Sequence, residues 1–155
     1  MVKRLILITG HAGEGKTTLA NKISQVMNIN KYALADVLKN ITNDLFTLFK
    51  VNKPINKSDI RPYYQQIGTE ICRKHMGEDI WCKILDEKIK QDPNECCIIS
   101  DIRFINEHKY FKTHYPNSIT IRVFNPTITT IDTHQSESEI CFIPYDFMYN
   151  ISIQH

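Results

Sequence analysis

The chain has 155 residues, 42% of them hydrophobic and 23% charged, with a formal net charge of +2. That length supports one sizeable core and not two ordinary domains, so residues 1–155 are expected to form a single domain with one active site. The ordinary composition excludes disorder as the default, and the weak, dispersed positive charge gives no basis for nucleic-acid binding.

From the N-terminus, Val2-Lys3-Arg4 leads straight into a short apolar run, which is too short to span a membrane and lacks the form of an export signal. That run, residues 5–9, is bounded by glycine and reads as a strand buried on both faces of a parallel sheet. A helix is expected over residues 16–27, where Leu19, Ile23, Val26 and Met27 fall on one face. A second strand over 31–34 is followed by a helix over 35–49, carried by Val37, Leu38, Ile41, Leu45, Leu48 and Phe49.

After the connection around Pro54, Asp59 is the expected N-cap of a helix running to about residue 75, with Pro62 in its first turn. A helix over 79–90 and the turn Asp92-Pro93-Asn94 come next. Further strands are expected over 96–100, 118–124 and 147–153, and Ser136 with Glu139 fits a capping box opening a short helix before Pro144. Strands alternating with helices predict an α/β fold with a central, mostly parallel five-stranded sheet flanked by helices, and the sequence GHAGEGKT at residues 10–17 makes it a three-layer P-loop NTPase fold. The five cysteines, at 72, 82, 96, 97 and 141, include no CxxC pair and read as reduced thiols of a cytoplasmic protein.

The chemistry starts at residues 10–17, GHAGEGKT, which satisfy GxxxxGK[ST] between the first strand and the first helix. Gly10, Gly13 and Gly15 allow the backbone, with His11, Ala12 and Glu14, to turn its N–H groups onto a phosphate. Lys16 reaches the β- and γ-phosphates, Thr17 supplies a magnesium ligand, and Thr18 continues the helix N-terminus facing the same anion. Such a loop needs a second acid on the metal side, and Asp101, ending the strand at 96–100, is the candidate; capping a helix is its alternative role.

The loop by itself does not separate kinase, GTPase and ATPase, but no NKxD base-reading sequence follows and the chain is short, so a small-molecule kinase leads. Downstream, Tyr32-Ala-Leu-Ala-Asp36-Val-Leu-Lys39 precedes Arg61-Pro-Tyr-Tyr-Gln65-Gln66-Ile-Gly68-Thr69-Glu70-Ile-Cys-Arg73, then Asp79-Ile-Trp81. Asp101-Ile-Arg103-Phe-Ile-Asn106-Glu107, His134-Gln-Ser136-Glu137 and Asp146 with Asn150 complete the series. In this order the segments resemble the FADxLK, RxxLQxxGTExxR…W, DVRFxNE, HxSE and D…N motifs of phage-type deoxynucleoside monophosphate kinases, over nearly the whole chain.

The resemblance implies γ-phosphate transfer from ATP, with Mg2+, to a deoxynucleoside monophosphate, on an adenylate-kinase-like fold. It implies small-molecule nucleotides as partners, a homodimer as an open question, and a cytoplasmic setting, the host's if the chain is phage- or virus-encoded. Lys16, Arg103 and Arg73 become the catalytic candidates, and Asp36, Lys39, Arg61, Gln65, Gln66, Thr69, Arg73 and Trp81 the acceptor-binding ones. Arg61 and Arg73 lie three α-helical turns apart, about 18 Å, too far to grip one phosphate from a straight helix. One departure stands out: no arginine follows Arg122, although adenylate-kinase-like lids commonly supply them. Transition-state charge then falls to Lys16, Arg103 or Arg122. An animal-type phosphomevalonate kinase and a non-catalytic nucleotide-binding regulator are the alternatives.

Overall fold

Strand β1 (Arg4–Thr9) lies at the middle of a five-stranded sheet of order β2-β3-β1-β4-β5, with β2 Lys31–Tyr32, β3 Cys96–Ile102, β4 Ile119–Phe124 and β5 Phe147–Asn150. Every pairing is parallel. The computed structural model describes residues 3–128 and 135–151.

The alternation of side chains along β1 explains the layers. Leu5 and Leu7 face a core shared with Leu34, Val37, Trp81, Cys82, Leu85, Ile89 and Phe111, whereas Ile6 and Ile8 face Leu19, Ala20 and Val123. The first face is covered by α2 (Leu34–Leu48), α5 (Ile80–Gln91) and α6 (Ile105–His114), the second by α1 (Lys16–Met27). Both faces of the central strands are therefore dry, as their uninterrupted apolar runs require. Cys97 and Cys82 are fully buried in this packing, and all five cysteines are free thiols. No helix among the described residues is long and apolar enough to cross a membrane.

Two expectations are corrected. The helix after the Pro54 connection begins at α3 (Lys57–Gln65) with Asn56 as N-cap, because the Asn56 carbonyl accepts the N–H groups of Asp59 and Ile60, each at 3.2 Å. Pro62 is thus in the second turn rather than the first, where its missing N–H removes one helical hydrogen bond. The same helix then changes winding: Gln66–Arg73 is π-helical, and only Lys74–Met76 (α4) returns to α before Gly77 ends it. The second strand is also shorter than expected, since Leu34 already belongs to α2. The short α7 (Gln135–Ser138) and a 3₁₀ turn (Ile140–Phe142) fill the span before β5; His134 and residues 152–153 of the expected last strand lie outside the described residues.

Register sets where the chemistry can happen. Thr9 pairs with Ile102, so the loop leaving β1 and the residues ending β3 emerge side by side at the carboxyl edge of the sheet. β2 lies beyond β3, so the chain reverses its direction of winding at this point, where open α/β sheets hold their ligands.

Candidate active site

The loop of residues 10–15 feeds directly into α1. Gly15 caps that helix with φ 92°, and a Cβ there would sit 2.5 Å from Ile151 Cδ1, so the position needs glycine for both conformation and space. Lys16 is folded back over the loop: its ammonium donates to the carbonyls of Gly10 at 2.6 Å and His11 at 2.7 Å. Burial, reinforced by the neighbouring Arg103 cation, pulls Lys16 down to about 8 against the opposing pull of Glu137, Asp101 and Glu14. Glu14 is itself buried, its carboxylate accepting the His11 N–H at 2.5 Å, while Thr17 and Thr18 are exposed on the first turn of α1.

A second carboxylate reaches the loop from α7. Glu137 Oε2 accepts the Ala12 N–H at 3.1 Å and lies 3.2 Å from His11 Nδ1; its Oε1 is 3.7 Å from an Arg103 guanidinium nitrogen. Burial works to raise the Glu137 carboxyl, but the Ala12 N–H, Arg103, His11 and Lys16 together hold it below the ordinary glutamate range. The segment is fastened just after it: Arg122 donates to the Ile140 carbonyl at 2.9 Å, and Glu139 accepts the Ile105 N–H at 3.0 Å. Arg122 is therefore a buried brace for the turn that follows Glu137.

Asp101, the penultimate residue of β3, has both oxygens engaged, Oδ1 accepting the Leu34 N–H at 2.7 Å and Oδ2 the Ala35 N–H at 2.8 Å. It caps α2 across the sheet edge, a long-range version of the capping alternative considered from sequence. Burial raises its carboxyl pKa despite these two bonds. Arg103, two residues on, is about a third exposed, and its backbone N–H donates to Glu107 at 2.9 Å.

Beside these groups is a cavity of about 440 Å³ lined by Ala12 of the phosphate loop, by Asp101 and Arg103, and by the α3–π face. The winding of that face decides which residues reach it. Arg61, Gln65, Thr69 and Arg73 are spaced by fours, which advances an α-helix by about 40° per step. A π-helix, with about 4.4 residues per turn, retreats by about 30° for the same step. The α step from 61 to 65 and the π steps to 69 and 73 nearly cancel, and all four side chains line the cavity. Lys39 and Trp81 line it too. Gln66, one residue off the series, is exposed outside it, and Asp36 is two-thirds exposed beside Lys39 at 3.6 Å rather than in the cavity wall.

Two of the cavity residues are held from behind. Trp81 is buried and its indole N–H donates to the Gly68 carbonyl at 3.0 Å, so its ring is fixed to the π-segment. Arg73 is buried, 3.0 Å from Glu107, 2.5 Å from Asn106 Oδ1, and stacked 3.6 Å above the Phe104 ring. It ties the π-segment to the start of α6, and one edge of it faces the cavity. Asn106, Glu107 and Glu137 were not assigned to the site from sequence. All three lay in the DxRFxNE and HxSE segments, where order in the chain was visible but mutual contact was not.

Residues 42–150, more than two thirds of the chain, match the family described as deoxynucleotide monophosphate kinase. A protein of Acanthamoeba polyphaga mimivirus named as a putative deoxynucleotide monophosphate kinase is 26% identical over 88% of this chain and 81% of its own length. The deoxynucleoside-5'-monophosphate kinase of Escherichia phage T5 is 40% identical over 30% of this chain and 19% of its own. Among solved structures, shikimate kinase from Aquifex aeolicus aligns with TM-score 0.53 at 13% identity, covering 94% of this chain and 86% of the other. A gluconokinase from Sinorhizobium meliloti aligns with TM-score 0.51 at 9% identity, covering 99% and 85%. Those two share the P-loop kinase fold and nothing finer can be carried from them. Neither the phosphomevalonate nor the regulator alternative is favoured. With its sheet order, phosphate loop and downstream segments agreeing, the chain belongs to the deoxynucleotide monophosphate kinase family.

Proposed function

We propose that the protein transfers the γ-phosphate of ATP to a deoxynucleoside monophosphate, with Mg2+, within a single domain formed by residues 1–155. The observation that carries this is the shared wall of the cavity: Ala12 of the donor loop and Arg103 line the same space as Arg61, Gln65, Thr69 and Arg73. Donor and acceptor sites thus adjoin, as direct transfer between bound nucleotides demands.

In this reading an oxygen of the acceptor monophosphate, already largely dianionic at neutral pH, attacks the γ-phosphorus of ATP. The bond to the β–γ bridging oxygen breaks, and ADP leaves with that electron pair. No strong general base is needed. Lys16 turns from the Gly10 and His11 carbonyls to the β- and γ-phosphates, and the loop N–H groups with the α1 N-terminus hold the β-phosphate. Arg103 meets the charge that develops on the transferring group. Arg73, fixed by Glu107, orients the acceptor phosphate together with Arg61 and Lys39, and Gln65 and Thr69 meet its sugar or base. Trp81 forms the cavity floor.

Thr17 and Asp101 would hold the magnesium ion. The donor set suits it: both are hard oxygen ligands, and each Asp101 oxygen accepts only one N–H, leaving a lone pair. A magnesium ion held by Thr17 and Asp101 would supply positive charge against the phosphates. The reading places the reaction among small-molecule nucleotides in the cytoplasm. It is tested by incubating the purified protein with ATP, MgCl2 and each deoxynucleoside monophosphate in turn, and looking for the corresponding diphosphate.

A further inference from the structure

Glu137 is the group that the function above leaves without a role, although its carboxylate contacts both His11 and Ala12 of the phosphate loop. It is 1% exposed, and its Oε2 holds both the Ala12 N–H and the His11 ring. Its other oxygen faces Arg103 at 3.7 Å, beyond hydrogen-bonding range. Among the described residues Glu137 Oε1 has no hydrogen-bond partner, and neither does the buried Arg103 Nε. Buried polar atoms are normally paired, so an unpartnered oxygen on Glu137 and an unpartnered Nε on the arginine it faces are not accounted for by structural bracing alone.

We infer that Glu137 is a positioning residue for phosphoryl transfer: it holds the phosphate loop and Arg103 in one frame, so that Arg103 is presented to the γ-phosphate. The inference rests on the kinase reading for its chemical purpose. The scaffold suits the task, since Ile140 and Ile143 are buried and Arg122 and Glu139 tie the segment to β4 and α6. Glu137 thus sits just before a turn that is fastened to the body of the domain. Its charge attracts the Arg103 guanidinium without locking it in a hydrogen bond, which leaves the N–H fork available to a phosphate. This also answers the missing lid arginines: the cation comes from β3 and is oriented by an acid on the segment where a lid arginine was expected.

The test is a double-mutant cycle on Glu137→Gln and Arg103→Ala, read first as the ratio of ATP to ADP affinity by calorimetry and then as kcat and KM. The wild type should prefer ATP. Arg103→Ala should reduce that preference by about tenfold, Glu137→Gln by a similar factor, and the pair no further than Arg103→Ala alone. In turnover, Glu137→Gln should lower kcat more than it raises KM for ATP. A Glu137→Gln protein with wild-type preference, or losses that multiply in the double variant, would overturn the inference. If Glu137→Gln loses its cooperative melting transition, Glu137→Asp, which keeps the charge on a shorter arm, carries the same cycle. A wild type that makes no diphosphate defeats the kinase reading alone, because the affinity cycle still decides the role of Glu137.

Discussion

Arg73 and Glu107 form a buried ion pair, 3.0 Å between guanidinium and carboxylate, that joins the π-helical segment to the first turn of α6. Glu107 Oε2 also accepts the backbone N–H groups of Arg103 at 2.9 Å and Phe104 at 3.1 Å. One carboxylate thereby fixes an acceptor-side arginine and the backbone of the candidate catalytic arginine.

That arrangement makes stability depend on pH in a specific direction. Burial pushes Glu107 up from 4.5 to about 7, outweighing Arg73 and the two N–H groups. The folded state then holds more protons than the unfolded between about 4.5 and 7, so the contribution of Glu107 is full below that window and declines as pH rises through it. Arg73→Ala removes the cation and raises the Glu107 pKa further. Its cost should be about 3–5 kcal/mol at pH 8, where the carboxylate is left unpaired, and clearly smaller at pH 5. Urea unfolding at the two pH values measures this; an equal cost at both would show that Glu107 does not titrate in this range.

Lys16→Ala should lower kcat by about 10²–10³ while weakening ATP affinity far less, because the ammonium's main partner is charge that grows in the transition state. Steady-state kinetics with separately measured ATP dissociation constants give the comparison. Equal loss in affinity with unchanged kcat would make Lys16 a ground-state binder only.

Gln65 and Gln66 separate the cavity face from its neighbour. Gln65→Ala should raise KM for the acceptor by about 5–10-fold, the worth of one or two hydrogen bonds, and Gln66→Ala should leave it within twofold. The acceptor KM of each variant is the readout. Reversed effects would mean that the face turned toward the acceptor is not the one the π-winding presents.

Asp101→Ala carries two separable losses. Releasing the Leu34 and Ala35 N–H groups should cost about 1–2 kcal/mol of stability whether or not magnesium is present. Turnover should also fall and need more magnesium for half-saturation. Unfolding curves and a magnesium titration of the rate separate them; an unchanged magnesium requirement would restrict Asp101 to capping α2.

Much of this was legible in the chain. Short apolar runs marked the buried strands, the position of GHAGEGKT after the first of them marked the phosphate loop, and the order of the downstream segments pointed to the family. What local pattern does not contain is winding and reach. The α to π change at Gln66 follows from no propensity of QIGTEICR, and it brings Thr69 and Arg73 onto the cavity face already held by Arg61 and Gln65, with Gln66 outside. Asp36 read as an acceptor ligand or a cap, but the α2 cap comes from Asp101, 66 residues downstream of the N–H it binds. Glu137 meets Ala12 across a separation of 125 residues, a contact that only the folded sheet edge creates.

The central claim is that the cavity beside the phosphate loop receives a deoxynucleoside monophosphate. Its most direct test is to supply the purified protein with ATP labelled in the γ-phosphate, MgCl2 and a panel of deoxynucleoside monophosphates, and to identify the labelled product. The account predicts label in at least one deoxynucleoside diphosphate, with stoichiometric ADP and loss of transfer in Lys16→Ala. Label appearing only as inorganic phosphate, whatever acceptor is present, would contradict it.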